Sequence, residues 1–259
     1  MVNLKYWPKN YTDSYLGKMK MSFGLINSVN TVTVQLAHLV GLQNIIKVAT
    51  DLGIRSKLSS NLSLALGSSE VSLLNLTSAY AGFLNLGRQT HPRGWSDLRI
   101  KSSNEILIRS TVTQKKQVLK PNIAKAIINM LVSVVETGTG KEAFINGWHI
   151  AGKTGTSQDA RDAWFMGFTS KYVVGVWMGL DDNMPLQGVV GGNLPAKIWR
   201  EIIQNIHDEI PSKLPTLSTN EYNKSITSGS EAVLLENGNG FENSNILRRF
   251  YYYLKNFNE

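Results

Sequence analysis

Three apolar segments in quick succession, over residues 148–156, 163–169 and 172–178, restrict the fold more than any other part of the sequence. We interpret them as three strands. The last two are joined only by Ser170 and Lys171, a connection that predicts a tight antiparallel hairpin. The third segment is almost entirely apolar, which is typical of a strand buried on both faces. The sequence therefore predicts a small antiparallel sheet.

Helical patterns lie on both sides of this region in the sequence. Apolar residues recur at three- and four-residue spacing, which predicts helices with one buried face. The predicted helices are residues 28–40, a second helix that includes Ile45 to Leu52 and is closed by Gly53, residues 70–86, and two helices that begin at Pro121 and Pro195. A short hairpin is predicted from 98–101 and 105–109, and a turn over 138–142. Helices around an antiparallel sheet make an α+β fold.

The first predicted strand of the sheet ends in Lys-Thr-Gly-Thr, residues 153–156. Lys153 supplies a compact cation, and Thr154 and Thr156 supply hydroxyl donors that can reach an anion. Gly155 has no Cβ, so a ligand backbone can lie close to the strand. The pattern predicts a strand edge that receives an extended peptide and holds its terminal carboxylate. The alternative is an ordinary strand end with surface hydroxyls.

A second motif, Ser-x-Asn, stands at Ser28 and Asn30, near the start of the first predicted helix. Both residue types also favour the N-cap of a helix, so a structural role is an alternative. Ser-x-Asn together with Lys-Thr-Gly forms two of the three motifs of penicillin-recognising serine enzymes. The chain resembles the C-terminal part of the transpeptidase domain of class A penicillin-binding proteins, the 1A type in particular. Further likeness is found at residues 7–11, 66–68, 79–83, 162–165, 176–183 and 191–196.

This resemblance implies a penicillin-binding-protein or β-lactamase-like transpeptidase fold, in which helices cover a five-stranded sheet. It implies that residues 153–156 bind the carboxylate of a peptidoglycan stem peptide that ends in D-Ala-D-Ala, which β-lactams mimic. It also implies that Ser28 shuttles a proton and that Asn30 holds the substrate amide, so Ser28, Asn30 and Lys153 are the predicted catalytic residues. No cofactor is implied, and the four scattered histidines show no spacing for a metal site.

The third family motif, Ser-x-x-Lys, is not present, since no lysine of the sequence stands three positions after a serine. Its nearest imitation is the run from Thr113 to Lys116. In the family this motif carries the nucleophile and its base, and it precedes Ser-x-Asn. We therefore expect an N-terminally truncated domain that lacks the first two strands and the nucleophile helix. A serine without a base is a weak nucleophile, so we expect that the chain alone neither transfers acyl groups nor is acylated by penicillin.

The predicted function is that of a C-terminal fragment of a D,D-transpeptidase, an enzyme that cross-links stem peptides by serine acyl transfer. Two alternatives remain. The chain is half of a split enzyme, completed by a complementary N-terminal polypeptide encoded upstream, or it is a non-catalytic remnant that keeps the carboxylate pocket. A class D β-lactamase is a more distant alternative. Loss of the first two strands also predicts an exposed apolar sheet edge and an unstable isolated chain.

Three regions are predicted along the chain: a partial transpeptidase domain over 1–210, a flexible polar tail over 211–245 and a short helix over 246–259. The sequence has no cysteine, so disulfides and cysteine-ligated metals are excluded. Family members act in the periplasm at the inner membrane, whereas this sequence shows no signal or transmembrane segment. The net charge of +8 is spread without a basic helix, so nucleic acid is not an expected partner.

Overall fold

In the computed structural model, the described residues are 8–12, 15–110 and 116–228, and the side chains of 224–228 are not described. Over these ranges the helices are α1 (Met21–Ile26), α2 (Asn30–Val40), α3 (Leu42–Leu52), α4 (Leu73–Leu84), α5 (Pro121–Glu136), α6 (Leu194–Ile206) and α7 (Thr219–Ser228). The strands are β1 (Asp97–Arg99), β2 (Ile106–Arg109), β3 (Ala151–Thr156), β4 (Asp162–Phe168) and β5 (Val173–Gly179). The α+β class is confirmed.

The central sheet has three antiparallel strands in the order β3-β4-β5. The pairs Lys153–Met166 and Phe165–Val176 fix the register of its two ladders. β4 lies in the middle, and Ala163, Phe165 and Phe168 in it are fully buried. The predicted hairpin between the last two strands is confirmed. The outer edges of β3 and β5 have no strand partner within the described ranges.

Helices cover both faces of this sheet because successive residues of a strand point to opposite sides. On one face, Phe168 of β4 packs with Ile128 and Leu131 of α5. On the other face, Phe165 packs against Trp199 of α6, with ring centroids 5.3 Å apart. The sheet is thus the middle layer of a helix–sheet–helix arrangement, with an apolar cluster on each of its faces.

The prediction that the third strand is buried on both faces is wrong. Within β5 only Val176 is buried, and the Trp177 side chain is 42% exposed. Trp177 instead lies beside Trp164 and donates through Nε1 to Asp162 at 2.9 Å. The physical reason is position, because the apolar run of β5 forms an outer strand whereas β4 takes the centre.

Two of the predicted elements begin three residues later in the structure than predicted. The helix predicted over 70–86 begins only at Leu73, because the Ser72 hydroxyl accepts from the Asn75 N–H at 3.2 Å and caps the helix there. The strand predicted from residue 148 begins at Ala151. The residues before it form a turn in which the Trp148 N–H donates to the Ile145 carbonyl at 3.1 Å.

The flexible tail predicted from residue 211 is wrong for its first part. Leu214 and Leu217 are buried, with 3% and 8% of their surfaces exposed. The Asn129 side chain of α5 bonds both main-chain groups of Leu217, accepting from its N–H at 2.8 Å and donating to its carbonyl at 3.1 Å. Two leucines in a polar stretch are enough to dock it, and α7 follows. Residues 229–245 and the helix predicted over 246–259 lie outside the described residues.

α2 and α3 meet at Gly41, which has a φ of 87°, and the two helices are bent by 96°. α3 ends at Gly53 in the left-handed conformation, as the sequence predicts. No single helix among the described residues is both long and apolar enough to cross a membrane, and only the bent pair α2 and α3 together meets that test of length and composition.

Gly167 of β4 gives a test of how tightly the sheet packs on α6. A Cβ at Gly167 would lie 2.7 Å from Trp199 and 2.8 Å from Phe165. We expect Gly167→Ala to lower the free energy of unfolding by about 2 kcal/mol because both rings must shift. Urea unfolding of the chain measures the change. The matched control is Gly94→Ala, where nothing lies within 4 Å of the added carbon, and equal midpoints for the two variants would contradict the described packing.

Candidate active site

The two sequence motifs meet in the structure. Ser28 lies in the turn between α1 and α2, and Lys153 lies in β3, 125 positions later. The Lys153 ammonium donates to the Ser28 hydroxyl and also to the Thr154 carbonyl oxygen at 3.1 Å. α1 and α2 therefore deliver a hydroxyl to the lysine that β3 holds in place.

Ser28 has an unusual backbone, with a φ of 53° in the left-handed region. For a residue other than glycine this conformation costs on the order of 1 kcal/mol and is concentrated at functional sites. Ser28 does not cap α2, because the N-cap position is Val29 and no side chain caps the helix. The capping alternative is thus not what the structure shows, and the Ser28 hydroxyl faces Lys153 instead.

Lys153 sits in a site that disfavours its charged form. Burial lowers the pKa of its ammonium group from 10.5 to about 8. Across the described ranges no carboxylate forms an ion pair with Lys153 to oppose this effect. Lys153 can therefore both give and accept a proton near neutral pH, which an exposed lysine does not do.

Asn30, the other residue of the Ser-x-Asn motif, begins α2 but is not bonded to Lys153. Its side-chain Nδ2 donates to the Lys9 carbonyl at 2.8 Å. The next residue, Thr31, donates through its N–H to the Asn10 side chain at 3.1 Å. The segment before α1 is thereby fastened to the first turn of α2, and a substrate-holding role of Asn30 stays a prediction.

The two threonines of the Lys-Thr-Gly-Thr motif alternate with Lys153 along β3. The Thr154 hydroxyl lies 2.8 Å from the Thr139 hydroxyl. The exposed Thr156 hydroxyl accepts from the Gly191 N–H at 3.0 Å. In each case a hydroxyl is held in place near the end of the strand, where it can donate its own proton to an anion.

Thr139 is a site residue that sequence reasoning missed. Its N–H donates to the Ile26 carbonyl at 3.4 Å and its hydroxyl reaches Thr154, so it links the turn before Ser28 to β3. A Cβ at Gly138 would lie 2.4 Å from the Ile26 carbonyl oxygen, so only glycine allows this approach. The only signal in the sequence is the run Gly138-Thr139-Gly140, which by itself indicates a turn.

The turn before α6 lies against the backbone of β3 at Gly155. A Cβ at Gly191 would lie 2.3 Å from the Gly155 carbonyl oxygen and 2.4 Å from that of Trp164. On this side the close approach predicted for a ligand is made by the chain's own Gly191. Among the residues described, no three His, Asp or Glu side chains lie together as a possible metal site.

Comparison with known proteins agrees with this geometry. The family model for the penicillin binding protein transpeptidase domain matches residues 2–204. Penicillin-binding protein 1A of Aquifex aeolicus is 33% identical over 207 residues, which cover 80% of this chain and 28% of that protein. The crystal structure of penicillin-binding protein 1A from Haemophilus influenzae aligns with a TM-score of 0.72 at 22% identity, over 83% of this chain and 38% of that one.

A second solved structure has the same fold. The PonA1 protein of Mycobacterium tuberculosis, in complex with penicillin V, aligns with a TM-score of 0.68 at 21% identity, over 81% of this chain and 64% of that one. The chain spans just 28% of the length of the Aquifex aeolicus relative. The family and fold expected from the two motifs are confirmed. The chain belongs to the penicillin-binding protein transpeptidase family, as the transpeptidase region of a class A, 1A-like member.

Proposed function

We propose that this chain forms the peptide-binding half of a peptidoglycan D,D-transpeptidase site. The observation that carries the proposal is the contact between Lys153 and Ser28 beside the threonine hydroxyls of β3. The ligand is a stem peptide that ends in D-Ala-D-Ala, or a β-lactam that mimics it. As in other family members, the site would act in the periplasm at the inner membrane.

The outer edge of β3 suits an extended peptide. It has no strand partner among the described residues, so its main-chain groups can pair with a ligand backbone as an added strand. The peptide carboxylate would lie near Thr154 and Thr156, whose hydroxyl protons can be donated to it, and near the positive charge of Lys153. Most of these donors are neutral hydroxyls, so the carboxylate can be bound and then released again.

Lys153 and Ser28 would then move a proton. Breaking a peptide bond requires that the leaving amine receive a proton. Ser28 would donate its hydroxyl proton to that amine and regain one from Lys153, whose pKa of about 8 suits transfer in either direction. Both residues thereby act on the departing group, and attack on the carbonyl carbon is left to another residue.

We further propose that the chain does not cross-link peptides alone, because its sequence lacks the Ser-x-x-Lys motif. A complementary N-terminal polypeptide would supply the nucleophile, the serine of the Ser-x-x-Lys motif. The outer edge of β5 has no strand partner in the part of the chain that the structure describes, and Trp177 in this strand is exposed. This favours a complementary polypeptide, because an apolar strand edge accepts a further strand.

We expect that mixing the chain with a polypeptide that carries Ser-x-x-Lys restores covalent labelling by fluorescent penicillin. A non-catalytic remnant would bind the peptide but would not be labelled, either alone or in the mixture.

The carboxylate site predicts a specific loss of affinity. Thr156→Val keeps the branched shape but removes the hydroxyl, and we expect about tenfold weaker binding of an acetylated peptide ending in D-Ala-D-Ala. Fluorescence anisotropy with a labelled peptide measures the affinity. The control Thr77→Val removes a hydroxyl that donates to the Leu73 carbonyl of its own helix, away from β3. Equal affinities for the parent and Thr156→Val would contradict the assignment.

The proton-transfer role predicts a pH dependence of stability. Because the pKa of Lys153 is about 8 in the folded chain and 10.5 for an ordinary lysine, the unfolded chain binds up to one more proton between these pH values. Stability due to Lys153 therefore rises with pH across this window, by about 2 kcal/mol after allowance for residual exposure. Below it, both states are protonated and the folded chain bears the cost of burying a charge.

Urea unfolding of the parent chain and of Lys153→Met, at about pH 7.5 and about pH 10, tests this rise. We expect stability to rise less with pH in Lys153→Met, because methionine has no proton to lose. Other groups, such as Tyr80, whose pKa burial raises to about 12, contribute equally to both chains. Lys197→Met, at an exposed lysine, should keep the parent slope. Parallel pH profiles for the parent and Lys153→Met would show that Lys153 keeps an ordinary pKa.

A further inference from the structure

Ser28 and Lys153 have the composition of a serine–lysine pair, which activates a serine nucleophile in several unrelated hydrolases. We propose that Ser28 is itself a nucleophile toward small activated esters, with Lys153 as its general base, so that the chain forms an acyl-serine at Ser28. This activity goes beyond the proposed function. There, Ser28 only relays a proton, and attack comes from a serine that this sequence lacks.

The geometry meets the first requirement, a base beside the hydroxyl. A serine becomes a useful nucleophile when an adjacent group takes its proton. Lys153 is the hydrogen-bond partner of the Ser28 hydroxyl, and the two are brought together from separate elements, the α1–α2 turn and β3. Ser28 is only partly buried, and the proposal requires that a small acyl donor reach its oxygen.

The left-handed backbone of Ser28 supports the same role. Its φ of 53° is retained although the residue neither is a glycine nor caps α2. Such strain persists where the surrounding structure fixes a side chain in a required direction. Here the turn that contains Ser28 is held by the Val29 N–H, which donates to the Gly24 carbonyl at 2.8 Å.

Lys153 must also be available as a neutral amine. No carboxylate pairs with it among the residues described, so no negative charge holds the proton on the nitrogen. Burial brings its pKa to about 8, and a substantial share of Lys153 is therefore neutral in mildly alkaline buffer. An exposed lysine would be protonated there and could not accept the Ser28 proton.

Hydroxyl groups that can donate to the negative charge developing on the acyl oxygen are carried by Thr154, the residue after Lys153 in β3, and by Thr139. Thr139 and Thr154 form a hydroxyl pair 2.8 Å apart. Since only one of the two can donate to the other, the second keeps its proton for another acceptor. The Thr139 N–H bonds Ile26, two residues before Ser28, which keeps this hydroxyl pair close to the turn.

The reaction with 4-nitrophenyl acetate balances as follows. The Ser28 oxygen forms a bond to the acetyl carbon while its proton passes to the neutral Lys153 nitrogen. The bond from that carbon to the nitrophenyl oxygen breaks, and nitrophenolate leaves with the electron pair. Water then cleaves the serine ester, which releases acetate and restores Ser28. No oxidant, metal or cofactor is needed for these steps.

The experiment combines stopped-flow release of nitrophenolate with mass-spectrometric mapping of the acetylated chain. We expect a burst near one equivalent per chain, a single acetyl group on Ser28, and a rate that rises through about pH 8 and then levels off. Ser28→Ala and Lys153→Met should each slow the burst by about 100-fold. The controls are Ser133→Ala, whose hydroxyl bonds a helix carbonyl, and Lys197→Met, and both should react like the parent.

Acetyl groups found only on lysines or the amino terminus would overturn the proposal, as would an undiminished burst in Ser28→Ala. A rate that keeps rising with hydroxide concentration would also overturn it, since no residue of that pKa would then be involved. Circular dichroism checks that the variants fold. Should Ser28→Ala be unfolded, Ser28→Cys provides the second test, because it should form a thioester at residue 28 that hydroxylamine cleaves. Failure of peptide binding would leave this outcome unaffected.

Discussion

The site depends on one interaction, the hydrogen bond between the buried Lys153 amine and the Ser28 hydroxyl. A carboxylate in place of Ser28 would form an ion pair and keep the amine charged. A hydroxyl satisfies the amine without fixing its proton. The rest of the structure serves to keep β3 and the α1–α2 turn at the distance this contact requires.

Backbone-to-backbone approaches maintain that distance. Gly138 lets the turn after α5 reach the Ile26 carbonyl, and Gly191 lets the turn before α6 lie on β3 at Gly155. In both places a methyl group would meet main-chain oxygen at well under 3 Å, where no side chain can move aside. The site is thus framed by main chain, and its precision does not rely on long side chains.

Much of this arrangement could be predicted from the sequence, because strand pairing and helical faces follow from the local order of residues. The errors have a common cause in tertiary packing. An apolar run such as that of β5 fits a central strand and an outer strand equally well, so the exposure of Trp177 does not follow from the sequence. Leu214 and Leu217 look like isolated apolar residues until the Asn129 clamp is seen. Thr139 and the left-handed Ser28 gain meaning only from contacts with distant parts of the chain.

The segment after α6, which packs on the domain, determines how far the chain can be shortened from its carboxyl end. Leu214 packs in the same cluster as Ala151, the first residue of β3 and two positions before Lys153. A shortened chain that stops at residue 210 would open a void behind that strand and release the Asn129 side chain. The packed part of the domain therefore extends at least to Leu217. Cleavage by a protease near Pro211 would loosen the packing behind β3, the strand that carries Lys153.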